Sequence, residues 1–391
     1  MFELKKSMFL SFLGIFVVLG IVVIVNVMNN EQTNDNAETD GQTQTEDPYN
    51  QDAVEVSEES IEVTATDDGK ITANNLFIPW TINKNGGTFY LSQREGSVIE
   101  INGELGLVEV QDVQVSENIL HEGQGGFLGF ALDPNFKETN RAYAYHTYSK
   151  NGEVLNRIVS LTLKDNTWEE ENVLLENIPG GEVNNGGRLK IGPDGFLYAT
   201  TGDTGQAELA QNLDNLAGKI LRMNLEGEVP QDNPFENSYV YSYGHRNSQG
   251  LAWDEQGNLY SSEHGEDGHD EINLIEAGQN YGWPEITGNE EESGMKAPVA
   301  HSGEDTWAPA GMAYSDGRLY VASLAGKQIF TYDIESSETT EFYDEAGRLR
   351  DVLVENGSIF TITSNNDQYG EPTAKDDRLL QLSLTKEVSA D

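Results

Sequence analysis

The sequence predicts an all-β fold, a six-bladed β-propeller of four-stranded blades, preceded by an N-terminal transmembrane helix and a disordered acidic linker. Two observations carry the fold class. The chain has 40 glycines in 391 residues, with frequent Asp-Gly and Asn-Gly pairs, which favours many short strands joined by tight turns. A turn residue, one spacer and an aliphatic or aromatic pair then recur six times, and only a repeat architecture explains that well. The copies are Gly87-Thr88-Phe89-Tyr90, Asn140-Arg141-Ala142-Tyr143, Gly195-Phe196-Leu197-Tyr198, Gly257-Asn258-Leu259-Tyr260, Gly317-Arg318-Leu319-Tyr320 and Gly357-Ser358-Ile359-Phe360. Their mean spacing, about 54 residues, suits one blade with its loops. Second alternating strands follow several copies, as at 97–101, 219–223 and 328–332. A blade cannot bury both faces alone, so six must close around an axis whose mouth collects loops. Function is expected on those loops.

The domain boundaries follow from composition. Residues 1–30 hold Lys5 and Lys6 and then an almost uninterrupted apolar run over 8–28, long enough to cross a bilayer once. Without a small-residue cleavage site after it, the run is expected to stay as an anchor, with the basic end in the cytoplasm and the rest outside. The expected location is the cell membrane, single-pass with the propeller extracellular, or secreted if the segment is cleaved. Residues 31–70 form the linker: 13 Asp and Glu occur in 31–68 with no Lys or Arg, too little apolar material for a core. Residues 71–391 form the propeller.

A balance of 23 basic against 67 acidic residues, net −44, opposes any broad nucleic-acid surface. Such acidity keeps a protein soluble in salt and suits cation binding. The chain has no cysteine, which excludes disulfides, thiolate metal sites and thiol catalysis. Any metal must be held by oxygen or imidazole.

The segment Gly244-His245-Arg246-Asn247 offers a fork of donors suited to a carboxylate or carbonyl. The loop at 263–273, rich in acids and glycine, offers hard oxygens of the kind Ca²⁺ prefers. In so acidic a chain, Arg246 could equally pair with surface acids and the loop could be plain surface. Arg348 and Arg350, two apart in an extended segment, share a side; they read as an anion clamp over the channel or as salt bridges to neighbouring blades.

Residues 71–384 resemble the quinoprotein glucose and sorbosone dehydrogenases of the soluble aldose sugar dehydrogenase type. The resemblance rests on Gly-Gly-Phe-Leu-Gly-Phe-Ala-Leu-Asp-Pro at 125–134 and Gly-Arg-Leu-Lys-Ile-Gly-Pro-Asp-Gly at 187–195. It also rests on Gly-His-Arg-Asn at 244–247, Asp-Glu-Ile-Asn-Leu-Ile at 270–275 and Asn-Tyr-Gly-Trp-Pro at 280–284. The resemblance implies a propeller that binds pyrroloquinoline quinone and Ca²⁺ and oxidises a sugar, passing electrons to an acceptor of unspecified chemistry. It implies that Arg246, Asn247, Arg348 and Arg350 contact the quinone. The backbone carbonyls of Gly265 and Glu266 would bind one Ca²⁺, and Asp270, Glu271 and Tyr281 would lie in the region of a second. Gln124 and Asp203 would line the sugar site.

Three positions depart from the family pattern. The histidine that takes the sugar's hydroxyl proton is Asn184 here, the aspartate before it is Val183, and a quinone-contacting cation is Ala325, with Lys327 two residues on. An amide is no base near neutral pH. Glu182 and His264 are substitute candidates, and His264 also reads as a ring packed beneath the calcium loop. Two further expectations therefore stand beside the dehydrogenase: a non-catalytic calcium-binding propeller, and a Ca²⁺-dependent hydrolase by fold analogy.

Overall fold

A computed structural model of the protein describes residues 61–65 and 71–384. The expected transmembrane helix and most of the linker lie outside the described residues. Among the described residues no helix is long and apolar enough to cross a membrane.

Six four-stranded antiparallel units follow one another around an axis. Their innermost strands are Pro79–Asn85, Phe127–Leu132, Leu189–Ile191, Ser248–Trp253, Pro309–Ser315 and Leu349–Glu355. The six repeat copies seen in the sequence all fall on the second strand of a blade or the turn leading into it: Thr88–Gln93, Arg141–Lys150, Leu197–Thr201, Leu259–Glu263, Arg318–Ser323 and Ser358–Thr363. Second strands are enclosed by neighbouring blades on both faces. Leu197–Thr201 and Leu259–Glu263 are buried throughout, whereas the outer strand Leu107–Gln114 is largely exposed. Burial on both faces favours an apolar start to each second strand, ahead of the buried small and polar residues at its mouth end, so this strand carries the clearest sequence signal.

The ring closes with a strand from the other end of the chain. The last blade takes three strands from the C-terminal part, and its fourth is Ile71–Asn74, which pairs with Leu379–Ser383. Leu76 and Asp377 exchange backbone hydrogen bonds of 2.9 Å in both directions just beyond that pair. Glu62–Ala65, assigned to the linker from sequence, adds a further antiparallel strand on Ile71–Asn74. The open edge of that strand supplies its backbone partners, which composition cannot reveal. Blades 1 and 2 are also joined at their rims, where Asp112–Gln114 pairs in parallel with Thr167–Glu169.

The core lies between blades. The cluster between the second and third blades includes Leu128, Tyr143, Tyr145, Leu189, Leu197 and Leu221, and Trp80 reaches it from the first. Closure places Ala73, Leu76 and Leu379 in one cluster with Phe89 and Phe360, whose rings meet edge-on at 4.8 Å.

Two outcomes are expected. Leu76 is 2 % exposed at the closure, so Leu76→Ala should lower the unfolding free energy by about 2–5 kcal/mol in urea titration with an unchanged slope. His146 is fully buried; its Nε2 has no partner, and burial lowers its pKa to about 4. The unfolded chain binds that proton near pH 6.5 and the folded one does not, so stability should fall as pH drops from about 6.5 toward 4. In His146→Leu the dependence in that window should be shallower by about one proton, read from unfolding midpoints across pH.

Candidate active site at the mouth of the central channel

Inner strands begin, and second strands end, at the same mouth of the channel, so the loops there converge from every blade. They enclose a cavity of about 280 Å³. Trp80 and Arg94 come from the first blade, Gln124 from the entry to the second, and Asn185 and Gly186 from the entry to the third. Asn247, Gln249 and His264 come from the fourth, Ala325 from the fifth, and Arg348, Arg350 and Asp367 from the sixth.

The cavity is cationic in a strongly anionic chain. Arg348 reaches Asp367 at 3.3 Å and Arg350 reaches it at 3.7 Å, while Arg350 Nη1 donates to Gln249 Oε1 at 3.3 Å. Nε of Arg350 is buried without a partner. Burial lowers the Arg350 pKa to about 9, opposed by Asp367 and reinforced by Arg348, Arg94 and Arg188. Asp367 alone cannot neutralise the three guanidiniums that line the cavity, Arg94, Arg348 and Arg350, so the cavity is built to accept negative charge.

The three residues expected around the sugar meet. Asn184 has a left-handed backbone, φ 52°, which asparagine tolerates. Its N–H donates to Gln124 Oε1 at 2.9 Å and its Nδ2 donates to Asp203 Oδ1 at 2.9 Å. Asp203 is 2 % exposed and also accepts from the Trp283 indole at 2.8 Å and from the Gly205 N–H at 2.8 Å. The loop lies close against a strand end: a Cβ at Gly186, φ +63°, would come within 2.6 Å of the Thr201 backbone. Asn247, 2 % exposed, accepts from the Gly186 N–H at 3.1 Å and from Gln249 Nε2 at 3.0 Å, which fixes the next wall.

The calcium-loop residues are distributed differently. The Gly265 carbonyl accepts from Arg246 Nη1, the His264 carbonyl lies 3.3 Å from the same atom, and the guanidinium sits over Trp283 at 5.4 Å. Asp270 is a structural hub: Oδ1 accepts from Gly265 N–H at 2.8 Å, and Oδ2 accepts from Thr306 Oγ1, Trp307 N–H and Ala308 N–H. The Tyr281 hydroxyl donates to the Leu274 carbonyl at 2.6 Å and its ring stacks on His245 at 4.8 Å. Glu266 is expected to contribute its backbone carbonyl, so its side chain is free to differ. Glu271 accepts from Gly288 N–H and Asn273 Nδ2, and burial followed by the neighbouring Glu263 pushes its pKa up to about 8. Among the described residues no cluster of three or more His, Asp or Glu side chains forms a metal cage.

His264 lines the cavity, with Nε2 buried and unpartnered; burial, opposed by Asp270 and aided by three arginines, lowers its pKa to about 4. It is therefore neutral near pH 7. Lys327, the candidate replacement cation, is turned outward toward Glu371 at 3.9 Å and does not line the cavity.

Sequence reasoning missed Trp80, Arg94 and Asp367. The repeat held a signal for one of them. Arg94, His264 and Leu324 each lie four residues after the aromatic of their copy, Tyr90, Tyr260 and Tyr320, and all three line the cavity. Asp367 and Trp80 had no such mark.

Fold and site together define a propeller with a cation-lined axial cavity for an anionic ligand. The chain belongs to the glucose/sorbosone dehydrogenase family, whose profile matches residues 76–370. It is 34 % identical over 260 residues to quinoprotein glucose dehydrogenase B of Acinetobacter calcoaceticus, covering 58 % of this chain and about half, 54 %, of that protein's length. It is 31 % identical over 281 residues to the aldose sugar dehydrogenase YliI of Escherichia coli, covering 62 % and 76 % of the two chains. The PQQ-bound aldose sugar dehydrogenase of Streptomyces coelicolor superposes with a TM-score of 0.75 at 36 % identity, over 83 % of this chain and 98 % of that one.

Asp203 is the acceptor that three donors share. Asp203→Asn replaces one carboxylate oxygen by a donor, so Asn184 or Trp283 must lose its partner. We expect a loss of about 1–3 kcal/mol in urea unfolding and a change in the indole fluorescence of Trp283.

Proposed function

We propose that the protein is an oxidoreductase that uses pyrroloquinoline quinone and Ca²⁺ to oxidise an aldose or related sugar. The observation that carries this reading is the cationic cavity on the axis, where Arg348 and Arg350 share one carboxylate and Arg350 Nε is left without a partner. The quinone is a planar tricarboxylate, which would supply those missing partners; when bound, it supplies the acceptor for the hydride that leaves the sugar carbon. Arg348 and Arg350 would hold its carboxylates and Asn247 its remaining polar edge, all three lining the cavity; Arg246, held on the Gly265 carbonyl outside that lining, would join them only on leaving that carbonyl.

The chain's own residues set the rest. Asn184 commits Nδ2 to Asp203, which leaves its amide oxygen to accept from a hydroxyl; it would orient that hydroxyl without taking the proton. Asp203 is the ionisable group in contact with that amide. For Ca²⁺, a site on the Gly265 and Glu266 carbonyls requires Arg246 to release the first of them. A second cation fits near Glu271, where two buried carboxylates repel and the buried Asn273 Oδ1 has no partner. The apolar run at 8–28 with Lys5 and Lys6 before it supports anchoring with the propeller on the outer face of the membrane.

Asn184 favours a second reading, a propeller that binds ligand and Ca²⁺ without turnover. The test is titration of the full-length protein with quinone in the presence of Ca²⁺, followed by dye reduction with a panel of aldoses. We expect saturable binding and turnover; absence of quinone binding sinks the dehydrogenase, and binding without turnover supports the second reading. Asn184→His should raise turnover by about 100-fold or more, since a positioned base is worth that much and histidine also tolerates the left-handed backbone. A rate unchanged by that substitution would show that another group already takes the proton.

A further inference from the structure

Three guanidiniums line the channel mouth against a single carboxylate. Arg348 and Arg350 share Asp367, but Arg94 makes no ion pair within 4 Å among the described residues. Arg94 is 5 % exposed and its side chain leans only on backbone: Nη2 donates to the Gly123 carbonyl at 2.6 Å and to the Gly125 carbonyl at 2.7 Å, and Nε donates to the Gly125 carbonyl at 3.2 Å. Carbonyl dipoles orient a guanidinium without cancelling its charge; Asp367 attracts Arg94 only from beyond ion-pair distance and is already shared by Arg348 and Arg350, so burying this third cation is costly. The fifth blade adds no charge to the cavity, because Ala325 lines it and Lys327 points away toward Glu371.

We propose that Arg94 is a third ligand-anchoring cation, which receives a carboxylate of the bound cofactor on the first-blade side of the cavity. This inference rests on the quinone reading above. It assigns to the first blade a role for which the fifth blade, through Ala325, has no suitable side chain. The two carbonyls that hold Arg94 flank Gln124, so the same side chain ties the anion-binding wall to the loop that contacts Asn184. An arginine suits this double duty because its planar fork can donate to the carbonyls on one edge and to a carboxylate on the other.

The test is equilibrium binding of pyrroloquinoline quinone to the full-length protein, read by quinone absorbance at several salt concentrations with Ca²⁺ present. Wild type, R350Q, R94Q and the double variant R94Q/A325K are compared, with urea unfolding of each to verify folding. R94Q is expected to bind about 10- to 100-fold more weakly, the loss of one charge-assisted contact, and with a weaker salt dependence. Adding A325K should recover much of both. If wild type binds no quinone, the quinone reading fails and this inference falls with it. If wild type binds and R350Q weakens it, the quinone reading stands, and R94Q then decides the inference alone. R94Q binding like wild type, or weakened with unchanged salt dependence and no recovery from A325K, would mark Arg94 as a loop clamp and overturn the proposal.

Discussion

The ion pair between Arg188 and Asp351 holds the centre of the ring, and the rest of the structure is arranged around it. Arg188 Nη1 lies 3.2 Å from Asp351 Oδ2, both side chains nearly fully buried. Arg188 Nε donates to the Gln249 carbonyl at 2.7 Å, and the guanidinium lies 4.3 Å over the Trp80 ring. Asp351 Oδ2 also accepts from the Ile82 N–H at 2.8 Å. Gly311 passes so near Asp351 that a side chain there would strike the carboxylate. Blades one, three, four, five and six therefore meet at two side chains. A buried pair of this kind adds little net stability over an apolar substitute, but removing either partner leaves a buried charge, so it fixes how the blades meet.

That pair also shapes the floor beneath the cavity. Trp80 lies over Arg188 and lines the cavity above it, and Gln249 presents its carbonyl to Arg188 and its side chain to Arg350. Lys190, two residues on, reaches the Met312 carbonyl across the channel at 3.0 Å, and burial lowers its pKa to about 8. Charge is thus segregated. The chain carries −44 overall, yet its axis holds a run of arginines and a lysine with few carboxylates. The many surface acids face water, where salt screens them, while the axial cations lie in a low-dielectric interior where a matching anion is worth most.

The amide network around Asn184 shows how a pocket keeps its shape with an amide in place of a titratable group. Gln124, Asn184, Asp203 and Trp283 form one continuous hydrogen-bonded chain across the loops of the mouth. An asparagine at the centre satisfies both neighbours without a change of charge, so the geometry persists while the proton chemistry differs. The Gly265 carbonyl, occupied by Arg246, follows the same logic: a cation of the protein rests where a metal cation is proposed.

The sequence determined by itself what depends on local pattern. The six turn-and-strand copies marked the second strands because burial on both faces favours an apolar pair where each begins, and the motifs at 187–195 and 244–247 marked the family. Gln124, Asn184 and Asp203 lie outside those motifs and were named as site candidates only through the resemblance the motifs carry; Arg348 and Arg350, also outside them, read from their spacing alone as an anion clamp or as salt bridges. Tertiary structure decided what depends on distance in the chain. Ile71–Asn74 completes the last blade, roughly three hundred residues away, because only ring closure brings the two ends together. Asp270 and Tyr281, expected near a metal, use their side chains to hold loops, since hydrogen-bond partners at Thr306 and Leu274 were invisible in the sequence. Asp367 and Trp80 entered the site for the same reason: a side chain's charge or ring is written in the sequence, but what it faces is set by the blades that surround it.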